Sequence, residues 1–434
     1  MKKVMCQDLT PAVVALLVGA ALAGAALAGA QQVSFDEAVG RLKLPDVSAR
    51  TSALRLLEES GYPEAGVPIA ALLSDPEDRL QRAAVYVELG LFLGTRIEMR
   101  RHVALVVEVG DSRPAARAFD RPWSSLPIAP VPVGVVTALL GPIRHENLDF
   151  RIEATYALGI LGQLEETPPP PEYSAVAEGL AERLADPAPA ARIAVARAAG
   201  RIFRRCSAPC EVAGLDRLGD ALVHTLNDPE RGVRLAALDA LADLRWGRSM
   251  QAITAAYDYY QKGPEALAYL FALARIGHPA SAPVFKAALS RKEEAFRLAA
   301  VEGLARIGGA DAVTAAQSVG AAMSRGLQLA TAFAETRSGE ARAIDRLVQA
   351  VDEGPTRLQA RDYLIEVGKG SAAPAAAALG STGPETRLAL IEVLSVVGGA
   401  GELPAIEALQ SDKDEKVAAA AERAAMRIKA RARQ

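Results

Sequence analysis

Apolar and polar positions along this chain recur in one helical rhythm. From Arg297 to Gly308 the apolar residues fall at 298, 301, 304, 305 and 308, a single stripe of a helix. Gly308 sits where a left-handed residue ends such a helix. Gly309-Ala310-Asp311 then makes a turn, and residues 312–323 return as a second helix with apolar positions 312, 313, 316, 319, 320 and 323. The predicted unit is therefore helix, tight turn, helix. Its first helix carries a phrase: Arg, six residues, Leu, three residues, Gly. The phrase occurs as Arg50/Leu57/Gly61, Arg151/Leu158/Gly162, Arg297/Leu304/Gly308, Arg357/Leu364/Gly368 and Arg387/Leu394/Gly398. The last three copies lie on a grid of roughly 30 residues, the spacing of stacked helical hairpins. One hairpin cannot bury its apolar face alone, so neighbours must cover it.

The turns between units have their own punctuation. Leu73-Ser74-Asp75-Pro76, Leu184-Ala185-Asp186-Pro187 and Leu226-Asn227-Asp228-Pro229 each end one helix and start the next. Asp suits the N-cap and Pro the first helical position. Gly263-Pro264, Gly354-Pro355 and Gly383-Pro384 do the same with other residues. First helices are predicted to begin near residues 47, 77, 147, 188, 230, 264, 293, 326, 355 and 384, with a capping helix near 415. Two copies are degenerate: Ala266 and Gly326 stand where Arg belongs, and Phe333 replaces the Leu. The fold class is all-α, a right-handed α-solenoid of about ten hairpins, and at about 8–10 Å per layer it predicts an arc on the order of 80–100 Å.

Asp-Pro, a short spacer, Arg, an Ala-rich helix, then Leu-Gly or Ile-Gly and an amphipathic second helix resembles the HEAT-like repeat family. The nearest subtype is the short repeat also seen in phycobilisome lyases. The run Asp228-Pro229-Glu230-Arg231-Gly232-Val233-Arg234 carries the resemblance best. It covers roughly residues 45–430 and is specific for fold. It implies that Asp and Arg form a ladder between hairpins, here Asp228 with Arg234, Asp186 with Arg192 and Asp75 with Arg82. It also implies that second helices line the concave side. An anion-binding stripe is the alternative use of the same arginines.

Three stretches break the grid, near residues 95–145, 163–172 and 204–213. The first contains Arg121-Pro122-Trp123-Ser124-Ser125-Leu126-Pro127-Ile128-Ala129-Pro130-Val131-Pro132, too rich in Pro for a helix and expected as an exposed loop. The second contains Pro168 to Pro171. The third holds Cys206 and Cys210, a candidate disulfide, with free thiols or redox or metal chemistry as alternatives. Insertions in solenoids tend to fall on one, often binding, face.

Residues 1–30 read as a signal peptide: Lys2 and Lys3, an apolar run, then Ala28-Gly29-Ala30, with cleavage between Ala30 and Gln31. An uncleaved membrane anchor is the alternative, since the run is long enough to span. Residues 31–46 are a lead-in and 47–434 the repeat region. The expected location is periplasmic or secreted, or anchored to the inner membrane if the segment stays.

Composition adds little chemistry. The chain has 434 residues, 5% aromatic and 23% charged, with formal net charge −3. That gives no basic footprint for nucleic acid. Arg427, Lys429, Arg431 and Arg433 are expected as a polar tail favourable to the last helix dipole. The four histidines, His102, His145, His224 and His278, form no helical metal pair, and no nucleophile elbow, P-loop or dinucleotide fingerprint occurs. No catalytic, cofactor or metal residue is therefore assigned. Tyr257-Asp258-Tyr259-Tyr260 is the densest aromatic run; Tyr257, Tyr260 and Trp123 are candidate partner contacts, with core packing as the bland alternative. The expected function is an exported, non-catalytic scaffold binding a protein partner through a solenoid surface and Pro-rich loops. A chromophore-lyase-like enzyme or subunit and a membrane-tethered envelope component are the alternatives.

Overall fold

The structure is a computed structural model. It describes residues 33–95, 113–165, 168–204, 211–308, 313–315, 318, 324–340 and 342–433. The expected signal segment with Ala30 and Gln31, the pair Cys206 and Cys210, His102 and most of the second helix at 312–323 lie outside the described residues. The chain divides into two compact units, one ending at Leu57 and the other running from Glu58 to Gln434. In the first, Ser34 caps the helix Phe35–Arg41, and Arg50 ties back to the Leu44 and Pro45 carbonyls at 2.9 and 2.8 Å.

Among its described residues, the regular elements of the second unit are all helices. Its first helices are α1 (Asp78–Leu93), α2 (Leu148–Leu161), α3 (Pro189–Phe203), α4 (Arg231–Asp243), α5 (Ala266–Ile276), α6 (Glu294–Ile307), α7 (Arg325–Arg337), α8 (Arg357–Val367), α9 (Pro384–Val397) and α10 (Glu415–Ala432). Every start falls within two residues of the one predicted from the repeat. Each of these helices packs on the next, forming a continuous row. The phrase leucines Leu158, Leu304, Leu364 and Leu394 are buried in it. The second helices are shorter and often interrupted by 3-10 turns, as in Gly66–Ala70, Ala282–Ala288, Ala372–Ala378 and Leu403–Glu407.

Small residues set how closely the row packs. A Cβ on Gly159 of α2 would lie 3.1 Å from the Ala198 Cα of α3, and one on Gly200 of α3 would lie 2.9 Å from the Ala240 Cα of α4. Helices that touch through glycine and alanine approach nearly backbone to backbone. The first-helix row is thereby shortened and becomes the inner side of the curve. This corrects the expectation that second helices line the concave side.

The curve closes. Arg427 of α10 donates to the Ser395 carbonyl at 3.0 Å and the Pro127 carbonyl at 2.5 Å, and it pairs with Glu165. The extended 80–100 Å arc is therefore not what forms: α10 meets the early insertion. Arg427 is buried, and Arg431 donates to the Val396 and Gly398 carbonyls, so these cations are a clasp rather than a polar tail.

The Pro-rich stretch is non-helical, as Pro demands, but it is not an exposed loop. Ser125, Leu126 and Ile128 are buried, and the Ile128 amide donates to the Phe92 carbonyl at 2.7 Å. Arg201 holds the stretch from below, donating to the Phe119 and Ser125 carbonyls at 2.8 and 2.7 Å. Three apolar or small side chains and two buried arginines turn the insertion into a strap.

A ladder forms between hairpins, but not with the implied pairs Asp228 with Arg234 and Asp186 with Arg192: each Arg pairs with the acid of the following repeat, and Arg234 accordingly bonds Glu265 at 3.1 Å. Arg151 grips Asp186 at 2.9 and 3.2 Å, and Arg192 grips Asp228 at 2.8 and 2.9 Å. Each Arg also donates to the two carbonyls that open its own repeat, as does Arg234. Arg82 does not take the ladder role with Asp75. The position six residues after Asp75 is Gln81, and its amide reaches the Asp75 carbonyl at 2.5 Å. Arg82 lies over the Phe150 ring instead.

Candidate functional site

The curved row of first helices encloses a cavity of about 1110 Å³. Its wall comes from α4, α5, α6, α8, α9 and α10, with Arg204 just past α3 and Trp123 from the strap. No described second helix contributes. Phe271, Ile365, Val396 and Val397 supply apolar surface, while seven cationic side chains face four carboxylates.

The charges are arranged in two clusters. Asp243 accepts from Arg204 at 2.9 and 3.1 Å and also pairs with Arg275. Burial pushes this carboxyl up, but the two guanidiniums hold it below the ordinary carboxylate range. Glu366 accepts two parallel bonds from Arg306, at 2.9 and 3.0 Å. Burial opposes its charge, and Arg306 outweighs it, so Glu366 also stays ionised. Arg306 further donates to Glu302 at 3.2 Å. The Tyr363 hydroxyl donates to Glu302 and accepts from Gln359 at 2.8 Å, and burial raises the phenol well above its usual value. Trp123 donates through its indole nitrogen to Asp362 at 2.9 Å, with Arg204 over its ring.

Two cations stand apart. Arg245 makes one bond, to Glu366 at 3.2 Å, and its side chain is 58% exposed. It has φ of 50°, alone among the described residues other than glycine in having a positive φ. Lys369 is exposed and has no ion pair with any described residue.

Such a wall can hold anionic and apolar groups together. Among the described lining residues there is no Ser, Thr, Cys or His to act as a nucleophile or near-neutral base. The carboxylates are committed to guanidiniums. Among the described residues no three His, Cys, Asp or Glu side chains group as metal ligands. No described helix is long and apolar enough to cross a membrane.

The residues singled out in the sequence separate. Trp123 reaches the cavity wall. Tyr257 is buried on the second helix Met250–Tyr260, and Tyr260 stacks on Tyr269 with centroids 5.5 Å apart. Tyr259 between them is 83% exposed. His145 and His278 cap turns, accepting from the Asn147 and Ala280 amides. Arg245 was missed, although the phrase contains it. Arg234, six residues, Leu241, three residues brings the chain to position 245, where the other copies have glycine.

No family model and no curated protein sequence matches the chain. Solved structures similar to it include an engineered protein, 17% identical over 91% of this chain and 98% of that one, with a TM-score of 0.35. A computationally designed armadillo repeat protein for modular peptide recognition is 17% identical over 63% of this chain and 99% of its own, with a TM-score of 0.34. Importin beta is 14% identical over 91% of this chain and 60% of its own, with a TM-score of 0.40.

Proposed function

We propose that this chain is an exported, non-catalytic scaffold that holds a segment of a protein partner in the cavity of its first-helix row. The observation that carries this reading is the cavity itself: about 1110 Å³, walled by apolar side chains and a surplus of cations. Sites that bury an organic ligand combine an apolar lining with a few placed polar groups, in volumes of about 300–1,000 Å³. The strap contributes by shaping this cavity through Trp123, rather than by reaching out as a free binding loop.

Filling the cavity tests the proposal. Ala400 is exposed on its rim. Ala400→Trp should abolish capture of a partner that the unmodified chain retains from an envelope fraction, without lowering thermal stability. Equal capture by both proteins contradicts the proposal. Export is tested separately by N-terminal sequencing of the mature protein, expected to begin at Gln31; a chain that begins at Met1 supports the tether instead.

A further inference from the structure

We infer that the cavity recognises an acidic peptide segment, and that Arg245 and Lys369 are the residues that anchor its carboxylate. This rests on the scaffold reading above and adds the chemistry of the partner.

The first observation is conformational. Position 245 is the helix-ending position of its repeat, and Gly277, Gly308 and Gly368 hold the corresponding positions of later repeats with φ between 63° and 85°. Glycine takes positive φ freely, whereas a side chain there is strained. Arginine at 245 is unfavourable for the turn it occupies. Strain of this kind persists where the side chain serves something other than the fold.

The second observation concerns hydrogen-bonding capacity. A guanidinium has five N–H donors. Arg245 uses one, at 3.2 Å, on Glu366, which Arg306 already engages with two parallel bonds. Arg245 lines the cavity with its side chain 58% exposed. Lys369 lies three residues past Glu366 and lines the same cavity, exposed and with no ion pair to a described residue. A guanidinium fork and an ammonium lining one cavity both suit a carboxylate. Phe271 and Ile365 line the same cavity and suit an apolar neighbour in the peptide. Nucleic acid fits poorly, because four carboxylates share the wall and the whole chain carries −3.

Fluorescence anisotropy of the full chain with three labelled peptides, alternating Leu with Glu, Gln or Lys, tests the assignment. The Glu peptide should bind at least tenfold more tightly than the Gln peptide, and the Lys peptide should not bind. Arg245→Gly and Lys369→Glu should each weaken the Glu peptide at least tenfold while the melting temperature is unchanged or, for Arg245→Gly, higher. Equal binding of the Glu and Lys peptides overturns the assignment, as does unaltered binding by both variants. Lys369 is exposed, so its variant remains informative if the other fails to fold. A partner lost on Ala400→Trp but kept on Arg245→Gly and Lys369→Glu would overturn the acidic anchor and leave the scaffold reading standing.

Discussion

Arg192 and Arg245 are the same residue type in adjoining repeats, put to opposite uses. Arg192 is 12% exposed in its side chain, bonds both oxygens of Asp228 and donates to two carbonyls of its own turn. Its donors are consumed by the fold. Arg245 sits on the inner face, 58% exposed, with one bond and a strained backbone. The contrast shows that the count of arginines says little about anion binding. What matters is how many donors the fold leaves unspent.

The comparison is broken most forcefully at the ladder. Arg192→Ala should destabilise by about 3–5 kcal/mol in urea unfolding, because it strands the Asp228 carboxylate between layers. A loss below 1 kcal/mol would place the ladder among ordinary surface pairs. Arg427→Ala removes the two bonds that close the curve, to the Pro127 carbonyl and Glu165, along with the bond to the Ser395 carbonyl of α9, and should cost about 2–4 kcal/mol, with faster hydrogen exchange at residues 125–128. Unchanged exchange there would show that the strap is held without the clasp.

Acid should act on the ladder as well. Burial opposes the charge of Asp186, but the Ala188 amide and the Arg151 and Arg183 guanidiniums hold its pKa below the usual value. Asp228 behaves likewise with Arg192 and the Glu230 amide. A carboxyl depressed in the folded state contributes stability that is complete above its unfolded pKa of about 4 and is lost as pH falls through the folded value. The urea midpoint should therefore be flat from pH 7 to about 5 and drop below about 4. Arg192→Ala should shallow that drop. The smallest effect belongs to Arg245→Gly, expected to stabilise by about 0.5–1 kcal/mol once the left-handed strain is relieved, against the added freedom of glycine when unfolded.

Much of this architecture was legible in the sequence. The positions of α1 to α10 follow from the Asp-Pro and Gly-Pro punctuation and the apolar stripe, because capping and periodicity are local properties. The bonds of Arg192 and Arg234 to the carbonyls of their own turns were also readable, since six-residue spacing returns the side chain there, but their carboxylate partners, Asp228 and Glu265 of the following repeats, were not. Which side of the row becomes concave was not. It depends on Gly159, Gly200 and their facing alanines across repeats, a relation that no single-repeat pattern displays. The burial of the strap was hidden for the same reason: Ile128 and Phe92, or Arg427 and Pro127, are brought together only when the curve closes. Arg245 was legible in principle, as an arginine in a glycine slot, but its meaning required the cavity.

The central claim is that partner contacts lie on the inner face of the first-helix row rather than at the tyrosines of Met250–Tyr260. Site-specific photo-cross-linking in an envelope preparation tests it directly, with the photoreactive residue introduced either at Ala432, which lines the cavity, or at Tyr259, both exposed. A cross-linked partner is expected from position 432, competed by an acidic Leu-Glu peptide, and none from position 259. A partner cross-linked from 259 and not from 432 would contradict the claim.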